Sequence, residues 1–231
     1  MDAGNPDISR DTVVIAIDGP AASGKSTVAR ALARLLGYRF LNSGDLYRAM
    51  TWGCLQHGVD CRDVGAVASA VGQARIEVGC DGVDYFPLID GEDPRTHLRS
   101  EKVNANVSPV SAVPAVRYIL SAAIRAHAQG RQTVVEGRDI GSAVFPETPY
   151  KFYIDAPPQV RQRRRRNQGQ TEEIAKRDLI DSTRSTDPLT VAPGATVIDT
   201  SSLDVGGVVS AMIAKLKEQG LATAIAACSK E

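Results

Sequence analysis

Aromatic side chains are scarce in this chain: one Trp, six Tyr and four Phe among 231 residues. Single-stranded nucleic acid stacks on interleaved aromatics, so a surface of that kind has little to be built from. The core must be aliphatic instead. Net charge is absent as well, with 27 Lys and Arg against 27 Asp and Glu. Such a balance argues against nucleic acid or an anionic membrane as the main partner, while leaving room for a local basic site. No apolar run approaches the ~20 residues of a membrane helix. Residues 1–11 are polar and carry Asp2, Asp7, Arg10 and Asp11. They do not form a secretory signal, so a loose tail and a cytoplasmic protein are expected. The four cysteines, Cys54, Cys61, Cys80 and Cys228, make no C-x-x-C pair and have no histidine at ligand spacing. Neither a zinc site nor a disulfide framework is expected. The reading is small buried hydrophobes plus one thiol in the tail.

What is present is a phosphate-binding pattern. Residues 19–27 read Gly19-Pro20-Ala21-Ala22-Ser23-Gly24-Lys25-Ser26-Thr27 and fill every fixed place of G-x-x-x-x-G-K-[ST]. The β-branched run from Val13 to Ile17 predicts a buried strand before the loop. The pattern Val28, Ala29, Leu32, Leu35-Leu36 predicts a helix over 25–36, stopped by Gly37. A strand, a glycine loop and a helix N-terminus cradle phosphate through backbone N–H groups and the helix dipole. Lys25 would reach the β- and γ-phosphates, and the Ser26 hydroxyl would sit on Mg²⁺. A nucleoside triphosphate with magnesium is therefore the expected ligand.

Further along, Tyr38–Leu41 predicts a second strand, followed by a helix from Asn42-Ser43 to about Gln56 that ends at Gly58. A helix is expected over 63–73. Residues 74–91 alternate around Asp81-Gly82 and predict an antiparallel unit, read as an insert. Helices are expected near 97–107 and over 114–128. A third strand is expected at Thr133–Val135, a fourth at Tyr150–Ile154 and a fifth at Thr196–Asp199. Helical pattern fills 157–167, 171–186 and 205–218. Alternating strands and helices mean a parallel sheet with right-handed crossovers.

Basic residues cluster beyond the loop. Arg48 follows the second strand, either as a phosphate clamp or as a surface partner of Asp45. Arg138 and Asp139 follow the third strand, where ligands bind in open parallel sheets, although a surface ion pair is the bland alternative. Arg161, Arg163, Arg164, Arg165 and Arg166 fall within six residues. Arg177, Asp181 and Arg184 are spaced i, i+4, i+7 and share a helix face. They could be a solvated ion-pair ladder. An arginine-rich lid over a triphosphate suits phosphoryl transfer better, because that chemistry is mostly positioning and charge stabilisation.

Taken together, these elements resemble the bacterial cytidylate kinases, within the P-loop nucleoside monophosphate kinases. Ile17–Pro20, Asn42–Arg48, Val103–Ser108, Glu136–Gly141 with Val144–Pro146, and Arg177-Asp178 through Arg184 carry the resemblance, which runs from about Val13 to about Met212. It implies a three-layer αβα fold on a five-stranded parallel sheet. The core would be 12–59, 105–159 and 185–220, with a nucleotide-binding insert at 60–104, an arginine-rich lid at 160–184, and tails at 1–11 and 221–231. By position, Ser43, Arg48, Arg138 and Arg184 resemble the contacts to the CMP phosphate. Arg177 and Asp181 resemble the ribose contacts, and Ser108, Arg117 and Asp139 the cytosine pocket. Arg161 and Arg164 join the phosphate loop on the ATP side, and Lys25, Arg138, Arg177 and Arg184 carry the catalytic role. Where the family usually has Asp, this chain has Glu136, a candidate magnesium holder with Ser26 or simply a strand-end cap.

The base assignment has physical sense. Arg117 can only donate and ionised Asp139 can only accept. Cytosine accepts at O2 and N3 and donates from N4, whereas uracil inverts both contacts. The expectation is ATP-dependent phosphorylation of CMP and dCMP by a monomer using MgATP, without nucleic acid or membrane. An adenylate or shikimate kinase is the nearest alternative, and a nucleotide-dependent nucleic-acid switch a more distant one.

Overall fold

The run Val13–Asp18 forms strand β1, and its alternation divides the core in two. Val14 and Ala16 join one buried cluster with Leu41, Leu120 and Val135. Ile15 and Ile17 join the other, with Val28, Leu32, Phe152 and Met212. Successive strand residues point to opposite faces, so β1 is covered on both sides and the fold has three layers. A computed structural model of the chain describes residues 12–167 and 174–221. The expected tail at 1–11, residues 168–173 of the expected lid, and residues 222–231 with Cys228 lie outside the described residues.

Helix α1 (Lys25–Leu36) packs on one face with α8 (Val205–Glu218). Gly37 adopts φ 69°, and Tyr38 N–H donates to the Ala33 carbonyl at 2.9 Å. This 6→1 closure of the helix end takes Tyr38 away from the strand, so β2 runs Arg39–Asn42 rather than from Tyr38. Helices α2 (Ser43–Gln56), α3 (Val64–Gln73), α4 (Glu101–Ala112) and α5 (Pro114–Ala128) contribute to the opposite layer. Helix α4 begins after the Ser100 cap and runs through Pro109, four residues later at its start and five later at its end than its pattern indicated. Strands β5 (Gln132–Glu136), β6 (Lys151–Asp155) and β7 (Thr196–Asp199) complete the parallel set. Helices α6 (Pro158–Asn167) and α7 (Ile174–Thr183) stand between β6 and β7 in sequence. Among the described residues no single helix is long and apolar enough to cross a membrane.

The sheet has seven strands, not five. Its order is β3-β4-β2-β5-β1-β6-β7. The five expected strands are parallel neighbours. The two others are the hairpin β3 (Ile76–Asp81) and β4 (Asp84–Ile89), turning at Gly82 with φ 58°. An edge strand offers unpaired N–H and C=O groups, and β2 uses them: Phe40 N–H donates to the Val83 carbonyl at 2.8 Å. The hairpin thus extends the sheet. Cys54 and Cys61 are buried as expected, but Cys80 is exposed on β3, because an edge hairpin has one uncovered face.

Between β5 and β6 lies a π-helical turn, Ile140–Val144, that no pattern announced. Its first two amides donate to the buried Asp18 carboxylate at 2.8 and 2.7 Å. A carboxylate at the end of β1 thus satisfies N–H groups that the turn leaves over.

Gly19 joins β1 to the loop at φ +145°, and a Cβ there would lie 2.0 Å from the Ile154 carbonyl oxygen. The obstacle is backbone of the neighbouring strand, so it cannot swing aside. Gly19→Ala is expected to lose about 3 kcal/mol of stability from strain and overpacking together. Urea unfolding would read this as a fall in midpoint, and an unchanged midpoint would show that the β1–β6 seam is slack.

Candidate active site

Ligands in open α/β sheets bind beyond the carboxyl ends of the strands. Here β1 ends at Asp18, β2 at Asn42 and β5 at Glu136. Each strand end leads straight into a candidate residue. Helices α1 and α2 begin at the same edge, with Lys25 and Ser43 as their first residues. Two helix N-termini therefore face one cleft, each a site of partial positive charge with unused N–H groups.

The empty space of that cleft, part of it open to solvent, is about 880 Å³. All nine residues expected to hold the acceptor line it: Ser43, Arg48, Ser108, Arg117, Arg138, Asp139, Arg177, Asp181 and Arg184. Lys25, Ser26 and Glu136 line it too. Eight cationic side chains and three carboxylates form its wall. A chain with no net charge has thus gathered a strong local excess of positive charge, which suits a polyanionic ligand.

At the loop, Lys25 Nζ donates to the Pro20 carbonyl at 2.6 Å and lies 3.4 Å from Ser23 Oγ. Burial pulls its pKa down to about 7, helped by Arg138, while Glu136 and Asp18 oppose the shift. An incoming phosphate would restore its charge. Ser26 Oγ makes a short hydrogen bond to Glu136 Oε1. A hydroxyl and a carboxylate together are hard oxygen donors. Mg²⁺ prefers one or two protein ligands with waters and phosphates, so the pair fits an ion that arrives with a nucleotide. Among the described residues no group of three His, Cys, Asp or Glu is placed to hold a metal.

Arg48 does not pair with Asp45. It donates to the Leu98 carbonyl at 3.0 Å and to Asn104 Oδ1 at 2.5 Å, while Arg99 takes Asp45 at 2.5 Å. Arg48 sits on the second turn of α2, whose inner face is buried, so its head is directed across to α4 rather than outward. Arg138 donates to Asp181 at 2.8 Å. Burial works against ionisation of Asp181, but Arg138 and Arg177 outweigh it and hold the carboxyl below the usual range. At the deep end, Arg117 is 1% exposed. It makes a short ion pair with Asp139 through Nη2, donates through Nη1 to the Ser111 carbonyl at 3.3 Å, and lies 5.5 Å from the Tyr47 ring centre. Arg184 donates to the other oxygen of Asp139 at 3.1 Å.

A second cleft lies on the other side of the loop. Residues 22–27, Arg164, Thr200, Leu203 and Val205 line it. Arg164 holds the Ser23 carbonyl at 3.1 Å and the Thr200 carbonyl at 2.8 Å. Arg161 lines neither cleft. It donates to the carbonyls of Ala156 and Ala21 and pairs with Asp178. Asp178 in turn accepts from Ala21 N–H at 3.0 Å. Arg165, from the expected lid cluster, lines the first cleft, and lining residues given no role by sequence reasoning include Tyr47, Arg99 and Ser111. Tyr47 lay inside a quoted motif, whereas Ser111 contributes through its backbone and left no side-chain signal.

A phosphate loop between β1 and α1, on a mostly parallel sheet and beside a second cation-lined cleft, defines a P-loop kinase. The family profile for cytidylate kinase matches residues 15–218, and the chain belongs to that family. It is similar to a cytidylate kinase from Mycobacterium leprae, 41% identical over 90% of this chain and 96% of that one. A cytidylate kinase from Mycobacterium avium is 44% identical over 83% and 89%. A solved shikimate kinase from Acinetobacter baumannii covers 91% of this chain and 97% of its own at 16% identity, with a TM-score of 0.46.

Asp18 gives a test of the seam between loop and cleft. Burial raises its carboxyl to about 6, with Asp139 adding to the shift, and the amide bonds from Gly141 and Ile140 and the charge of Lys25 only partly offset it. A carboxyl raised on folding takes up protons as the chain folds. Its contribution is fully present below the unfolded pKa of about 3.9 and is lost as pH rises through about 6. Relative to Asp18→Asn, the parent is expected to lose on the order of 2 kcal/mol between about pH 4 and about pH 6.5. Urea unfolding at the two pH values reads the difference, and a gap independent of pH would refute it.

Proposed function

We propose that this chain transfers the γ-phosphoryl group of ATP to the phosphate of CMP, and of dCMP, giving ADP and the nucleoside diphosphate. The observation that carries the reading is the Arg117–Asp139 pair at the closed end of a cation-lined cleft. It offers a donor and an acceptor side by side, which matches the cytosine edge and mismatches uracil. Membership of the cytidylate kinase family supports the same substrate.

Lys25 and the amides of residues 19–27 would hold the β- and γ-phosphates, with Arg164 at the nucleotide side. Arg161 would act from behind the loop, through Ala21. Ser43, Arg48, Arg138 and Arg184 would bind the acceptor phosphate, and Arg177 and Asp181 the ribose. Ser108 would join Arg117 and Asp139 at the base. Ser26 and Glu136 would hold Mg²⁺, which when bound would offset the negative charge of the phosphates. The acceptor is a phosphate oxygen, already anionic, so no general base is required. Asp139 and Asp181 position rather than abstract. Catalysis then rests on bringing two anions into line and spreading cationic donors over the transferred group. Residues 60–104 and 160–184 would close over the nucleotides and exclude water, which protects ATP from hydrolysis.

ADP release from MgATP, measured with CMP, dCMP, UMP, AMP and shikimate as separate acceptors, tests this. CMP and dCMP are expected to turn over, with CMP modestly favoured through Asp181 and its 2′-OH. UMP is expected to fall at least ~100-fold in kcat/KM, because a polar pocket left unpaired rejects the wrong partner strongly. Equal use of UMP would overturn the base assignment. Turnover with AMP or shikimate alone would keep the kinase and replace the substrate.

A further inference from the structure

Arg117, Asp139, Arg184 and Asp187 close a ring of hydrogen bonds. Arg117 Nη2 donates to one oxygen of Asp139. The other oxygen accepts from Arg184 Nη2 at 3.1 Å. Arg184 Nε donates to the Asp187 carbonyl at 2.7 Å, and the Asp187 carboxylate accepts from Arg117 Nε at 3.0 Å. Two guanidiniums and two carboxylates alternate, so the ring is neutral overall. Three of its members line the cleft, and Asp187 does not. It stands behind them, its side chain one-third exposed.

The backbone at Asp187 is unusual. Its φ is +48°, one of three positive values among the described non-glycine residues. The left-handed region is uncommon for a non-glycine residue, though Asp and Asn visit it more readily than most. Here it turns the segment after α7 back on itself: Leu189 N–H donates to the Asp181 carbonyl at 2.8 Å. The turn lets one residue present its carbonyl to Arg184 and its carboxylate to Arg117. Local strain that aims two groups at a cleft is more informative than strain on bare surface.

We infer that Asp187 is a positioning residue for acceptor specificity, yoking the arginine that reads the base to the arginine that grips the acceptor phosphate. This rests on the proposed roles of Arg117 and Arg184. Arg117 has five donors in a rigid fork. Asp187 fixes Nε, so the fork cannot rotate about its pairing with Asp139. The remaining donors then keep one direction, which a cytosine edge needs and a uracil edge opposes. Through its carbonyl, the same residue sets how far Arg184 lies from that fork. A nucleotide is thus read at both ends against a fixed span.

Asp187→Gly removes the carboxylate but keeps the backbone carbonyl and tolerates positive φ. Asp187→Asn keeps an acceptor oxygen and also tolerates the conformation. Initial rates with CMP and UMP, with CMP affinity by calorimetry, are compared for the full chain and both variants. The glycine variant is expected to raise KM and Kd for CMP about tenfold, to leave kcat within about twofold, and to narrow the CMP-to-UMP ratio of kcat/KM about tenfold. The asparagine variant should recover most of that ratio. A ratio unchanged in the glycine variant, whether both substrates weaken equally or neither does, overturns the inference. Should the glycine variant fail to fold, Asp187→Ser, which also removes the carboxylate, takes its place, and an unchanged ratio there overturns the inference. Failure of the CMP reading itself is distinguishable, because the unmodified chain would then show no preference for CMP.

Discussion

Like charges crowded in a cleft repel, and the chain must hold them there before any anion arrives. Eight cations share one cavity wall with only three carboxylates. Much of the surrounding hydrogen bonding solves that problem. Two of the carboxylates serve two arginines each, Asp139 between Arg117 and Arg184 and Asp181 between Arg138 and Arg184, while Glu136 accepts from Ser26. Backbone carbonyls take part of the remainder, as Leu98 does for Arg48 and Ser111 for Arg117. The arginines are thereby held in fixed directions at modest cost, because buried charge that is paired and hydrogen-bonded costs far less than buried charge alone. A site preorganised this way needs little rearrangement when phosphate enters.

The lower layer of this arrangement is the sheet edge. Asp18, Asn42 and Glu136 end three adjacent parallel strands, so a one-residue slip in any of them would move a site group off the cleft. Gly19 allows β1 to turn against the β6 backbone. Asp18 then ties the start of the loop to the π-helical turn that follows Asp139. A loop that would hold the donor and a turn that leads from the acceptor pocket are thus set by one buried carboxylate.

Much of this was legible in the chain. The phosphate loop and its flanking elements follow from glycine spacing and apolar periodicity. Of the nine acceptor residues, Ser43, Arg138 and Asp139 follow strand ends, Arg177, Asp181 and Arg184 lie on or just beyond α7, and Arg48, Ser108 and Arg117 come from α2, α4 and α5. The failures share a cause. The place of the hairpin as sixth and seventh strands, the exposure of Cys80, the partner of Arg48 and the role of Asp187 are all set by contacts between segments distant in sequence. Phe40 meets Val83, Arg48 meets Asn104, and Asp187 meets Arg117. Local pattern carries no information about such pairings. The π-helical turn was hidden for a related reason, since its amides are satisfied by a side chain 122 residues away.

Helix α7 and the residue just beyond it join the two halves of the site. Asp178 accepts from Ala21 in the phosphate loop, and Arg161 binds that same residue's carbonyl while pairing with Asp178. Within two further turns, Asp181 and Arg184 reach Arg138 and Asp139 on the acceptor side. One stretch of backbone therefore contacts both the loop and the acceptor pocket. Transfer between two bound phosphates demands that reacting oxygens approach to ~3–3.5 Å in line, so the donor loop and the acceptor pocket must be held at a set spacing. Both sets of contacts are made from one short segment, α7 and the residue after it, so the donor loop and the acceptor side are tied to the same element. On the proposed reading, the spacing of Asp178 and Asp181 on α7 and of Arg184 just beyond it is what keeps the two phosphates in register.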